Sequence, residues 1–465
     1  MVIYPSSKLV RRKNVKIIIA GTGKVGSTLA RQLTSEGYDI TVIDSESDVL
    51  DSAVEQYDVM TVVGNCASKN ILAAAGVETA DLLIAVAGSD EVNLLCCLTA
   101  HAINPKLHTI ARIRNPEYSS QIYDMREKFA LSMTINPEKQ AAIEIERLLK
   151  YPGFSKLETF AKGRVEIVEL RVEEGSKLCG RSLIELNSVI KCKILICSVL
   201  RDGNVITPSG NFVLEEGDRI FVTASTDNLT VLLKNLGIIT KKVRHVMICG
   251  GSRIAQYLSE RLVKSGIDVT IIEKNLDRCM QLSATLPNVN IINGDASSSF
   301  ELESEGMDRC DALVALTRMD ELNIIISLYG HTHKIPNIIT KLDYVDDSGI
   351  LDFLPQSSVV CPKDLSCNAI VRYVRAMQNH TGAAIAVHLI ADGKAEAIEF
   401  RLDKSTQNCG TPLKELKLKK GVLISCITRR GKTEIPDGNS SFMPGDSVIV
   451  VTNSGSIYQF GDIFE

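Results

Sequence analysis

Three glycines in the run Gly21-Thr22-Gly23-Lys24-Val25-Gly26 follow the apolar stretch Ile17-Ile18-Ile19-Ala20, and Asp44 closes a second apolar stretch, Ile40-Thr41-Val42-Ile43. These residue types suit a nucleotide. Gly21 permits a tight turn, Gly23 lets phosphate oxygens approach backbone N–H groups, Gly26 lets a helix pack closely on its strand, and a carboxylate at Asp44 accepts ribose hydroxyls. The same carboxylate repels a 2′-phosphate, which disfavours NADP. Arg112, after Thr109-Ile110-Ala111, is a candidate cation for the phosphate tail, because a guanidinium forks onto phosphate oxygens.

The pattern occurs twice. Gly250-Gly251-Ser252-Arg253-Ile254-Ala255 follows Val246-Met247-Ile248-Cys249, and Glu273 follows Val269-Thr270-Ile271-Ile272; the separations agree, 44 − 21 = 23 and 273 − 250 = 23. One glycine fingerprint is a weak signal, whereas two in register, each with its acid, are strong. Ser252 replaces the middle glycine and its Cβ narrows the room for a pyrophosphate. Alanine is tolerated at the third place, where Ala255 stands. Lys341 occupies the place of Arg112 and offers a point charge instead of a fork. The second crevice is therefore expected to be weaker, altered or empty.

The repeat extends past the loops. Gly64-Asn65-Cys66-Ala67-Ser68 corresponds to Gly294-Asp295-Ala296-Ser297, and the stretch from Ala85 to Asn93 to that from Ala315 to Asn323. The offset grows from 250 − 21 = 229 at the glycines to 320 − 90 = 230 at the paired aspartates, which one inserted residue near Pro287 explains. Within each unit apolar runs alternate with amphipathic helical segments, the pattern of a parallel sheet covered on both faces. A shorter, strand-rich segment follows each unit. Both segments carry Gly-x-x-Leu-x-Glu-Leu (Gly180 to Leu186, Gly410 to Leu416), a turn at Arg201-Asp202-Gly203 or Arg430-Gly431-Lys432, and Gly-Asp at 217–218 or 445–446 before a last strand.

The expected fold class is thus α/β, with two Rossmann-like parallel-sheet domains, each followed by a small α+β C-terminal domain, in A-B-A-B order. The expected boundaries are a tail at 1–14, nucleotide-binding domains at 15–150 and 244–378, and C-terminal domains at 155–237 and 383–465, with linkers near Tyr151-Pro152-Gly153, Leu236 to Arg244, and Asn379 to Gly382.

Composition sets the limits. At 465 residues the chain exceeds one core, and 45% hydrophobic with 23% charged residues is the make-up of a soluble globular protein. A net charge of −4 offers no basic field for nucleic acid. No apolar run approaches the roughly 20 residues of a spanning helix, and the first residues lack a signal-peptide core. Thirteen cysteines without framework spacing point to reduced thiols in a cytosol. Neither Cys361 to Cys367 nor His331-Thr332-His333 has a second pair at zinc spacing, so no metal is expected. There is no Ser-His-Asp or Cys-His elbow, no HExxH and no GxxxxGK[ST] loop. A dehydrogenase needs a domain that places substrate and proton donor beside a nicotinamide; each nucleotide unit here leads into only about 70 residues of strand-rich sequence. The expectation is a binding protein and not an enzyme, with an NAD-linked oxidoreductase or a soluble nucleotide sensor as alternatives.

Tandem units of the form IIIAGTGKVG, ITVID, VVGNCAS, AVAGSDEVN and IARI, each followed by a GRSLIEL, RDG and GD type module, resemble the regulator-of-K⁺-conductance (RCK) proteins, and among them the regulatory subunits of Trk potassium uptake. The resemblance covers nearly all of residues 15 to 453. It implies a nucleotide-sensing gating ring, a homo-oligomer that binds NAD(H) or ATP/ADP on the cytoplasmic face of the membrane beneath a membrane-embedded K⁺ channel or transporter subunit. It also implies nucleotide contacts at Gly21, Thr22, Gly23, Lys24, Val25 and Gly26, at Asp44, at Asn65 with Cys66, at Ala87 with Gly88, and at Arg112. In the second half the matching positions are Gly250, Gly251, Ser252, Arg253, Ile254, Glu273, Asp295, Thr317 and Lys341. Asn65 departs from the aspartate that many relatives carry there.

Overall fold

A computed structural model describes residues 15–48, 50, 57–150, 154, 156–160, 164–236, 242–343, 357–377, 384–391, 393–453, 457 and 459–465. The tail at 1–14 and most residues of the three expected linkers lie outside these. The chain forms two compact units, residues 1–137 and 138–465.

In the first unit, Ile17, Ile18, Ile19 and Ala20 are almost fully buried, and so are Leu82 through Ala85. Strands apolar on both faces fit only the middle of a parallel sheet clad by helices. The sheet runs in the order Met60–Val63, Asp39–Asp44, Lys16–Ala20, Leu82–Ala85, His108–Arg112, Met133–Ile135. All neighbours are parallel. The order reverses between Lys16–Ala20 and Leu82–Ala85, which opens a crevice beyond their C-terminal ends.

The second unit repeats this sheet with Asn290–Asn293, Asp268–Glu273, His245–Cys249, Ala312–Ala315, Asn337–Lys341 and Ser357–Val360. The strand offsets, 268 − 39 = 229 and 290 − 60 = 230, place the inserted residue between the second and third strands of the repeat, the interval that contains Pro287. Two five-stranded sheets follow, in the orders Asn204–Ile206, Leu195–Arg201, Arg219–Ser225, Val165–Arg171, Lys156–Phe160 and Ala384–Ile390, Ala395–Arg401, Ser447–Thr452, Val422–Arg429, Lys432–Glu434. Their neighbours are antiparallel.

Two packing relations within this unit have no signature in the sequence. The helix Pro137–Lys150 buries Ala141, Ala142, Ile145, Leu148 and Leu149 in one core with Val246, Ile248, Leu258 and Leu262 of the second Rossmann-like sheet and its covering helix. Arg261 donates from Nε to Glu146 at 2.5 Å on the same contact. The two antiparallel sheets share a core as well, with Phe160, Ile167, Cys197 and Phe221 against Ile390, Ala397, Cys426 and Val451. Lys394 Nζ donates to the Gly203 carbonyl at 2.9 Å across that seam.

The Gly-Asp pairs act with the arginines that end the preceding strands, Arg201 and, in the second half, Arg429 and not the turn residue Arg430. Arg201 donates from Nε and Nη2 to the two carboxylate oxygens of Asp218, each at 2.7 Å, and Arg429 grips Asp446 in the same way. Asp218 is 1% exposed and Asp446 2%. Each carboxylate also accepts a backbone N–H, from Glu215 at 2.9 Å or Met443 at 2.8 Å, so the acid ties the hairpin strand to the preceding turn. Removing one partner of such a pair leaves a buried charge uncompensated. Arg201→Ala, which leaves the buried Asp218 carboxylate without its cation, is expected to cost about 3 kcal/mol, seen as a lowered midpoint in urea unfolding followed by circular dichroism.

Candidate functional site

The first crevice is built from strand ends. Gly21 turns the chain with φ +103° while its N–H donates to the Ile43 carbonyl at 2.8 Å, so the loop is bonded to the neighbouring strand. A Cβ there would lie 2.7 Å from the Ala87 nitrogen, and one on Gly26 would lie 1.9 Å from the Gly21 oxygen. The two outer glycines are therefore demanded by close backbone approach. Gly23 is different. It begins the helix Lys24–Ser35 with no side-chain cap, and a Cβ there would meet no protein atom within 4 Å. Its helix terminus faces open space with N–H groups that an anion can accept from.

Asp44 ends the adjacent strand, and its Oδ2 accepts from the Thr22 N–H at 2.7 Å and the Thr22 hydroxyl at 2.5 Å. Burial alone would raise this carboxyl's pKa, but the Thr22 hydroxyl and amide, with the Glu46 and Ser45 N–H groups, outweigh it and hold it below the ordinary value. A permanent anion beside an uncapped helix start fits a ribose on one side and phosphates on the other. Asn65 lies next to it, because the Gly64 N–H donates to the Asp44 carbonyl at 2.7 Å, and Asn65 Oδ1 accepts from the Ala67 N–H at 3.0 Å. On the far side of the switch point, the Ala87 carbonyl accepts from Arg112 Nη2 at 2.7 Å and from Asn93 Nδ2 at 3.1 Å. Val25 and Cys66 are buried instead. The Cys66 thiol faces Cys96, whose hydrogen bond lowers its pKa.

The second crevice keeps the plan and changes the chemistry. Gly250 turns with φ +104° and donates to the Ile272 carbonyl at 2.8 Å. Glu273 Oε2 accepts from the Gly251 N–H at 2.6 Å, as Asp44 does from Thr22. The longer acid leaves less room, since a Cβ on Gly251 would lie 3.0 Å from its Cγ. Ser252 caps its own helix, its Oγ accepting from the Ala255 N–H at 3.3 Å, a side-chain cap that Gly23 cannot supply in the first loop. Arg253 begins that helix half-exposed, 4.0 Å from Glu138, and Ile254 is buried. Asp295 is held by Lys274 Nζ at 2.6 Å. Thr317 donates from its N–H and hydroxyl to Asn323 Oδ1 at 2.9 and 2.7 Å, and Lys341 lies 3.4 Å from Asp320 and 2.7 Å from Asp343.

The Lys274 bond, with the Ser297 N–H and hydroxyl, pulls the Asp295 carboxyl down to about 2. A depressed carboxyl stabilises the fold above its unfolded value of 3.8, and that contribution is lost as pH falls through about 2. Asp295→Asn is thus expected to lower stability slightly at neutral pH, where the contribution is complete, and to shrink the acid sensitivity of unfolding between about pH 4 and 2 by the same small amount, because the pair is exposed. A melt series down to pH 2 checks it.

Sequence reasoning missed several groups around these crevices. Arg278 donates from Nε to the Gly251 carbonyl at 2.7 Å, but its counterpart in the first half is Val49, so no repeat signal marked it. Asp90 accepts from the N–H groups of Arg114 and Asn115, both at 2.8 Å, and Asp320 from that of Asp343 at 2.8 Å. The pairing of Asp90 with Asp320 and of Asn93 with Asn323 was visible as repetition; their work, bonding the ends of neighbouring strands together, was not.

A family model described as the TrkA-N domain matches residues 17–135 and again 246–362, and one described as the TrkA-C domain matches 167–237 and 397–465. The Trk system potassium uptake protein TrkA homolog of Archaeoglobus fulgidus is 31% identical over 450 residues, 97% of this chain and all of that one. The chain belongs to the TrkA family. The TrkA of Haemophilus influenzae is 32% identical over 450 residues, 94% of this chain and 95% of its own. Among solved structures, the GsuK RCK domain has a TM-score of 0.61 at 19% identity, covering 98% of this chain and 96% of that one. The GsuK channel bound to NAD has a TM-score of 0.60 at 20% identity, covering 97% and 79%. At such identity these two share the fold. Both glycine loops lie within TrkA-N matches, and both Arg–Asp pairs within TrkA-C matches. Among the described residues of this TrkA-family chain, no helix is long and apolar enough to cross a membrane.

Proposed function

We propose that the chain is the cytoplasmic regulatory subunit of a Trk-type potassium uptake system, a peripheral gating-ring protein in which NAD(H) or ATP/ADP binding opens or closes a membrane-embedded K⁺ channel or transporter subunit. The observation that carries this reading is the Asp44 carboxylate, fixed by Thr22 beside the uncapped start of the Lys24–Ser35 helix, at the switch point of a parallel sheet. The names of the relatives add the potassium uptake, and a GsuK channel of the same fold is described as bound to NAD.

The contacts assigned to Gly21 through Gly26, Asp44, Asn65, Ala87, Gly88 and Arg112 fit one ligand lying across the strand ends, as do their counterparts from Gly250 to Lys341. Binding is coupled to motion because a ligand shifts a conformational equilibrium by its difference in affinity between two shapes. Assembly into a ring is supported by apolar side chains left exposed at matching places, Leu95 and Leu98 on one helix and Ile325 and Leu328 on its repeat. Among the described residues no nucleophile–base pair or metal-ligand cluster accompanies the crevices, which favours regulation over turnover.

The test is K⁺ flux through vesicles carrying the membrane subunit and the full chain, with NADH, ATP or ADP added. Wild type is expected to change flux severalfold between nucleotides, and Asp44→Ala and Arg112→Ala to lose most of that response. An unchanged response in both variants refutes the reading.

A further inference from the structure

Two residues beyond the paired cations Arg112 and Lys341, the crevices carry opposite charges: Arg114 in the first, Asp343 in the second. The positions are equivalent in the fold, because the N–H of Arg114 donates to Asp90 and that of Asp343 to Asp320, both at 2.8 Å. In the first crevice, Arg112 and Arg114 stand with one carboxylate, Asp90, whose Oδ1 is 3.9 Å from Arg114 Nε. In the second, one cation, Lys341, stands between two carboxylates, Asp320 at 3.4 Å and Asp343 at 2.7 Å. These six side chains alone sum to +1 in the first crevice and −1 in the second. The carboxylates are held back from water, with side chains of Asp90, Asp320 and Asp343 only 8%, 19% and 22% exposed.

Positive charge in the second crevice has moved to the glycine loop. Arg278 bonds the Gly251 carbonyl at 2.7 Å; burial most of all disfavours its charged form, Glu273 favours it, and the nearby Arg253 and Arg318 add to the burial effect. The first crevice has Lys24 at the Arg253 position and, on the loop after Leu82–Ala85, Gly88 at that of Arg318. A pyrophosphate meets cations at the second loop, but a phosphate tail extended toward Lys341 meets the carboxylates of Asp320 and Asp343. The first crevice offers the reverse.

We propose that the two crevices take different classes of nucleotide: the first an adenine nucleotide with an anionic phosphate tail, the second a dinucleotide whose distal half is neutral or cationic, of which NAD⁺ is the representative. This rests on the reading above that both crevices bind nucleotides, and it adds which charge each selects. Two sites of opposite preference would let one chain compare the phosphate charge of the adenine pool with the oxidation state of the nicotinamide pool.

The experiment is calorimetry on the full chain with ATP and NAD⁺ as probes, using Glu273→Ala to leave the first crevice and Asp44→Ala to leave the second. The expected result is ATP tighter than NAD⁺ by about tenfold in the first and NAD⁺ tighter than ATP by about tenfold in the second. Arg114→Gln in the first background and Asp343→Asn in the second should each shrink the ratio severalfold, with thermal melts confirming that the variants fold. The same order of preference in both crevices, a second crevice that binds neither probe, or ratios unmoved by the two neutral substitutions overturns the proposal while leaving nucleotide binding in place. No binding by the wild-type chain overturns the nucleotide reading itself, and this proposal with it.

Discussion

Gly26→Ala is expected to cost about 3 kcal/mol of stability in the first unit and to weaken nucleotide binding there at least 100-fold, because the added methyl has nowhere to go. Its carbon would lie 1.9 Å from the Gly21 oxygen and 3.0 Å from the Gly21 carbonyl carbon, both backbone atoms. Gly21 cannot retreat. Its N–H is bonded to Ile43, its φ is +103°, and any Cβ on it would strike Ala87 and Val86. The methyl therefore separates helix from loop, and the N–H groups at the helix start lose their aim at the phosphates. The second loop supplies the control. Ala255 already carries that methyl, fully buried, so Ala255→Gly is expected to lose about 1 to 2 kcal/mol, from helix propensity and the lost burial of one methyl, without opening helix from loop. Calorimetry with NADH and ATP, alongside thermal unfolding, separates the two effects. Retention of tight binding by Gly26→Ala would mean that this glycine serves neither purpose.

That contrast marks what could be read from the chain before folding. The two parallel sheets were legible because apolar runs of strand length, each ending in a glycine loop or an acid, admit few arrangements once they alternate with amphipathic helices. Asp44 and Glu273 were legible because their distance from the glycines is fixed by one helix and one strand. Third-position alanine reads as harmless from the second loop, yet the first loop excludes it; a difference of this kind lies in how close a helix sits and leaves no trace in residue spacing. The same holds for Lys341. Its alignment with Arg112 suggests a phosphate ligand, but Asp320 and Asp343 surround it, and Asp343 is recognisable as a partner only when the strand ends are in register. The packing of the Pro137–Lys150 helix on the second sheet, and of the two small sheets on each other, joins residues more than 90 positions apart in sequence, such as Glu146 with Arg261. Amphipathicity says that such faces are covered without saying by what.

The second large effect belongs to Asp44. Asp44→Ala is expected to weaken binding of an adenine nucleotide in the first crevice by about 1,000-fold, measured by calorimetry on the full chain with the second crevice silenced by Glu273→Ala. Hydrogen bonds to a charged group contribute about 1.5 to 3 kcal/mol each, so two ribose hydroxyls account for about 4 kcal/mol, and every 1.4 kcal/mol is tenfold. Thr22 adds to the loss, since its N–H and hydroxyl surrender the same acceptor and the loop slackens where phosphate must sit. Asp44→Asn keeps one acceptor oxygen but brings an NH₂ toward the Thr22 N–H, so it should fall between alanine and wild type. The carboxylate also sets what is refused: with the anion gone, the ratio of NADPH to NADH affinity should rise at least tenfold even as both weaken. The pH profile supplies an independent check. Thr22 and neighbouring N–H groups hold this carboxyl below its ordinary 3.8, so its contribution is complete above that value and is lost only as pH falls through the lowered one. Wild-type affinity should accordingly be flat with respect to this group from about pH 8 down to about pH 5, and a titration of binding near neutrality that vanished in Asp44→Ala would contradict the anionic grip assigned to it.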